Sequence, residues 1–140
     1  MPAGKEATQI AQKRTYRLIS SNLDVQMINK TSLFEGLRQL ASRDLQEALW
    51  LNRKDNRMSS FTEAMSYVFD DAGIARAIEV GYLQKNFSSA LCKKMDELRR
   101  LLHKVPENAS PRDIILHPKM HAIRVLAAEL IDMFSAEMGQ

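Results

Sequence analysis

The side chains best suited to chemistry are few, and their spacing works against it. His117 and His121 stand four residues apart, which on a continuous helix would put two imidazoles on one face, as a metal site requires, with Asp113 another four residues back. Pro118, however, places a helix start between the two histidines, leaving His117 in the backbone before it. No Cys or Glu companion follows at zinc-site spacing, so we assign no metal ligand. Cys92, Asp96, Arg99 and His103 share a flank of one helix and suggest a Cys–His couple. Eleven residues of helix separate Cys92 from His103 by about 16 Å, against the ~3 Å that a nucleophile and its base need. Lys93 and Lys94 would favour the thiolate, but a lone Cys beside an apolar stripe reads as a small buried residue. Asp70 and Asp71 are adjacent, so on a helix their carboxylates point about 100° apart, and Asp-Asp-Ala-Gly is also the pattern of a helix end. No glycine-rich phosphate loop is present, and no Ser-His-Asp order stands out. We therefore assign no catalytic residue and no cofactor, and the reading leans away from an enzyme.

The elements that would carry these residues are helical. The chain has 140 residues, 45% of them hydrophobic and 26% charged, with only five Gly and four Pro, a composition that folds and that favours helix. Nothing alternates with period two. The expectation is an all-α protein: a single helical domain over 1–140 with six or seven helices and a flexible start at 1–5. The single cysteine allows no internal disulfide, and the apolar runs are short beside the roughly 20 residues that cross a bilayer, so the expected location is cytoplasmic, with no membrane contact. The basic stretch from Lys5 to Arg17 lacks the Ser and Arg density of an organelle transit peptide.

Along the chain, Tyr16, Ile19, Leu23 and Met27 fall on one stripe, with Leu18, Val25 and Ile28 off it. Ser32-Leu33-Phe34-Glu35 has the form of a capping box, opening a helix with Phe34, Leu37, Ala41, Leu45 and Ala48 inward. A polar break over Asn52 to Ser59 follows, and a second box, Ser60-Phe61-Thr62-Glu63, starts a short helix that ends near Asp70 to Gly73. Ile74, Ile78 and Tyr82 mark the next helix, in which Gly81 costs about 1 kcal/mol relative to Ala unless it marks a close crossing. Leu91, Met95, Leu98, Leu102 and Val105 give the most regular stripe, capped by Ser88 or Ser89. Ser110-Pro111 opens one or two turns, and His117-Pro118 opens a last helix with Ile123, Ala127, Leu130, Ile131 and Phe134 inward.

Two kinds of residue are left over. The first is basic. Net charge is +3, divided as +3 over residues 1–30, +1 over 31–60, −2 over 61–88, +3 over 89–112 and −2 over 113–140. Lys93, Arg100 and Lys104 are interleaved with Glu97, which describes a solvated face. Lys13, Arg14 and Arg17, and separately Arg53, Lys54 and Arg57, are less diluted by acids and are the nucleic-acid candidates. A helix-turn-helix over Phe61 to Tyr82 fits poorly, because Phe69 is bulky before the turn glycine and Glu79 stands where an apolar residue belongs.

The second kind is apolar. Trp50 and Leu51 extend their helix beyond its clean stripe, and eight methionines supply adaptable packing. Surplus apolar positions serve either a core or a contact surface. The leading expectation is a small interaction or regulatory protein that binds a protein partner, or itself as a homo-oligomer, through a helical surface at Trp50 and Leu51. A nucleic-acid-binding accessory protein is the alternative, and a small enzyme or metal protein using His117, His121 or Cys92 is the third reading.

Overall fold

A computed structural model of the chain describes residues 27–52 and 59–139. Among these every regular element is helical: α1 (Lys30–Ala41), α2 (Arg43–Gln46) running into a π-helical turn (Glu47–Leu51), α3 (Phe61–Ser66) running into a second π turn (Tyr67–Asp71), α4 (Ile74–Glu79), α5 (Tyr82–Asn86), α6 (Ser89–Leu102), α7 (Pro111–Ile115) and α8 (Met120–Glu137). Their buried faces merge into one hydrophobic cluster, and α8 is its axis, packing along α1 on one side and α6 on the other. No helix among the described residues is long and apolar enough to cross a membrane. The stripe around Tyr16 to Leu23 lies outside the described residues.

The regular stripe of α6 behaves as its spacing predicts. Leu91, Met95, Leu98 and Leu102 are buried, and Val105 stays buried just beyond the helix end. Ser88 is the N-cap, its Oγ accepting from the Leu91 amide. The first turn of α6 has no acid of its own, but Glu137 at the far end of α8 supplies a carboxylate that takes the Ser88 amide and hydroxyl. Lys94 meets Glu129 at 3.1 Å further along, so α6 and α8 run antiparallel and are latched at two levels.

Elsewhere the helices are interrupted in ways the apolar pattern conceals. The Ser32 box is displaced: Asn29 is the cap of α1, its side chain accepting from the Ser32 amide at 3.1 Å, and Glu35 turns sideways to Gln39 and Arg38. Asn competes well for a cap position, and the Ser three residues later then serves as donor. The expected stripe from Phe34 to Ala48 is not one helix, since Ser42 is extended (φ −122, ψ 116) and its hydroxyl caps α2 through the Leu45 amide. At Ser60 and Ser110 the expected caps form, with Oγ accepting from Glu63 and Asp113 respectively.

The close crossing expected at Gly81 lies at another glycine. Gly81 lies at φ 81 with open space where a Cβ would point, so it makes a left-handed turn dividing α4 from α5 and marks no crossing. The close crossing is at Gly36, where a Cβ would sit 2.6 Å from Val68 Cγ2 and 2.8 Å from the Ala64 carbonyl oxygen. There α1 meets α3 and the second π turn nearly backbone to backbone.

Candidate functional site

Trp50 is not at the surface. It is 2% exposed, its ring edge-on to Phe61 at 5.9 Å between centroids and its indole N–H donating to Gln39 Oε1 at 3.0 Å. The cause is local. After the break at Ser42, α2 restarts and then widens, the Asn52 amide reaching back five residues to the Glu47 carbonyl at 2.7 Å. The widened turn aims Trp50 inward and leaves Leu51 outside, 38% exposed. Of the two residues read as interface candidates, only Leu51 has its side chain in solvent.

Behind Trp50 lies a polar seam inside the core. Gln39 hands its amide to Glu35 at 2.9 Å while its carbonyl holds Trp50. Gln46, fully buried, donates to the Gln39 and Leu40 carbonyls at 2.9 and 3.0 Å, which α1 leaves without helical partners where the chain breaks. Its own oxygen accepts from Arg124 Nε of α8 at 3.0 Å, and Arg124 Nη2 reaches the Ile115 carbonyl at 2.8 Å. Burial, and then the neighbouring Arg43, push the Arg124 guanidinium below its ordinary pKa, with Glu47 opposing. This seam ties α1, α2, α7 and α8 together, and every polar atom named in it is paired.

On the outer side of the seam, exposed apolar residues from two separate segments meet. The large exposed hydrophobic residues among those described are Leu51, Val80, Leu116 and Val125. Leu51, from the first π turn, and Leu116, 54% exposed after α7, line one shallow cleft with Ile115, Arg43, Glu47 and Arg112. Arg43 and Glu47 pair across one helical turn at 2.9 Å, so the rim carries both signs. Sequence reasoning missed Leu116. The available signal was the run Ile114-Ile115-Leu116 on a helix barely longer than one turn, whose three side chains cannot all face inward.

The chemistry-bearing residues remain apart. The Cys92 thiol lies 3.5 Å from the Leu83 carbonyl, and burial, then Glu137, push its pKa up. That is the opposite of an activated nucleophile, and Lys94 is engaged with Glu129. His117 and His121 do not share a helix face. α8 begins only at Met120, and His117 Nδ1 accepts the Lys119 amide at 3.0 Å, closing the turn before it. Among the described residues no group of three His, Cys, Asp or Glu gathers as metal ligands would. Asp70 accepts from the Ser66 hydroxyl, and both Asp70 and Asp71 are exposed at the end of the second π turn. Lys13, Arg14, Arg17, Arg53, Lys54 and Arg57 all lie outside the described residues. No protein-family model, curated protein or solved structure matches the chain.

Proposed function

We propose that this is a small cytoplasmic interaction or regulatory protein that works by protein–protein binding, with self-association as its first mode, through the face carried by Leu51 and Leu116. The observation that carries the reading is the convergence of those two exposed leucines on one cleft from segments more than sixty residues apart in the sequence. Apolar side chains left in water at one spot gain from a partner that covers them. The mixed rim favours a second copy of the chain. A two-fold axis would set a rim that holds Glu47, Arg43 and Arg112 against its own copy, so that opposite charges can meet across it. Trp50 serves as the rigid support beneath the face.

Light scattering over a range of protein and salt concentrations tests this. The apparent mass is expected to climb toward the dimer as concentration rises, and the Leu51→Glu/Leu116→Glu double variant to stay monomeric with an unchanged helical circular dichroism spectrum. A monomer at every concentration overturns self-association. A complex that carries nucleic acid and dissolves steeply with salt overturns the reading in favour of the basic residues Lys13, Arg14, Arg17, Arg53, Lys54 and Arg57.

A further inference from the structure

A second and larger concavity is unrelated to the Leu51 face. It is a groove of about 330 Å³ between α3 with its π turn on one side and the C-terminal end of α6 with the following loop on the other. That volume is at the lower end of the range for small-molecule sites, about 300–1,000 Å³. The two walls are joined at their ends by side chains. Thr62 donates to Glu107 at 3.3 Å at one end, and the Arg99 guanidinium lies 5.7 Å from the centre of the Phe69 ring at the other. Between those contacts the groove runs roughly 10 Å, seven residues of helical rise. Met65, Phe69 and Leu102 give it apolar lining.

The polar groups around this lining are not equally occupied. The two acids each already hold a hydroxyl, Asp70 that of Ser66 and Glu107 that of Thr62. Arg99 differs: among the described residues it has no ion pair and no side-chain hydrogen bond, while its neighbour Arg100 is paired with Asp96 at 3.3 Å. The guanidinium carbon lies over the Phe69 ring, a cation–π contact that uses none of its N–H groups. One turn further, His103 Nδ1 is engaged with the Arg99 carbonyl at 2.9 Å, which requires the proton on that nitrogen and leaves Nε2 at the groove. Each acid keeps its second oxygen open, and Arg99, unpaired among the described residues, is the permanently charged donor that the groove offers beside its apolar strip.

We propose that this groove binds a small amphipathic carboxylate, its head group held bidentately by Arg99 and its apolar body laid along Met65, Phe69 and Leu102. Arg–carboxylate geometry supplies the fork-to-fork match, and the length of the groove suits a chain of about eight carbons or a single ring with a short acid arm.

Octanoate, octanol and octylamine are the probes, titrated into the isotopically labelled full chain and followed by protein NMR. Saturable shifts at Phe69 and Leu102 are expected with octanoate, octanol should bind at least tenfold more weakly, and octylamine should bind more weakly still. The Arg99→Gln variant should lose at least tenfold in octanoate affinity while its thermal melt stays near that of the parent. Arg100→Gln, which alters charge one residue away, should leave octanoate binding unchanged. Equal affinity for octanoate and octanol would show that the head group goes unread and would overturn the proposal. Tighter binding of octylamine would assign the groove to its acids, and an unchanged Arg99→Gln variant would remove the residue on which the assignment stands.

Discussion

Two interiors meet on α8, and they are built on different terms. Toward α6 the contact is a seam of Leu91, Met95, Leu98 and Leu102 that needs only apolar volume, with its polar latches, Glu137 on Ser88 and Lys94 on Glu129, kept at the rim. Toward α1 and α2 the same helix meets Gln46, a buried side chain whose amide closes two broken backbone carbonyls and whose oxygen receives Arg124. An apolar seam accepts many sequences of similar volume. A paired polar seam accepts few, because each partner removed leaves another buried group unpaired. The difference shows where this molecule concentrates specificity: at the break after α1, where the Gln39 and Leu40 carbonyls need donors.

Replacing Trp50 by Ala is expected to have the largest effect, about 3–5 kcal/mol in chemical denaturation, because it empties the space beside Phe61 and at the same time strands the side-chain oxygen of Gln39. Gln46→Met keeps the volume and removes the hydrogen bonds, and should cost about 2–4 kcal/mol by the same measurement. Its counterpart in the apolar seam, Met95→Leu, also keeps volume and should cost less than about 1.5 kcal/mol. Equal losses at positions 46 and 95 would erase the distinction between the two interiors. At the small end, Ser59→Ala should be neutral or stabilising by up to about 1 kcal/mol, because Ser59 Oγ is buried beside Trp50 without a hydrogen-bond partner among the described residues. A clear loss on that substitution would mean that the hydroxyl has a partner and that the polar seam extends past Trp50.

The two interiors were not equally legible in the sequence. The seam along α6 follows from the spacing of its apolar residues, and the caps at Ser60, Ser88 and Ser110 follow from residue type, because both signals are local. The polar seam was hidden, since a glutamine at a core position looks like one at the surface until its partner, here 78 residues away, is placed beside it. The break at Ser42 was hidden for the same reason: the apolar spacing from Phe34 to Ala48 runs on undisturbed while the backbone does not. At the candidate face Leu51 could be named from its position past a clean stripe. A ruler of 3.6 residues per turn puts Trp50 on the same surface because it cannot register a turn that has widened. Gly36 carries no local sign of its crossing, and the sign at Gly81 is misleading, because close approach depends on what faces a glycine, and that is a long-range fact.

The two π turns have a further consequence for how this chain can change over generations. Each closes its helix with a bond over five residues, Asn52 to Glu47 and Ala72 to Tyr67, so each holds one residue more than an ordinary turn requires. Such a turn is a place where a single codon can be lost and the helix can still close. At the first of them the cost of that loss is set by geography: removing one residue ahead of Trp50 would rotate the downstream side chains by about 100° and offer the interior a leucine where it now holds an indole. Length variation in this protein is therefore expected to be suppressed at residues 47–51 more strongly than the irregular backbone there would suggest.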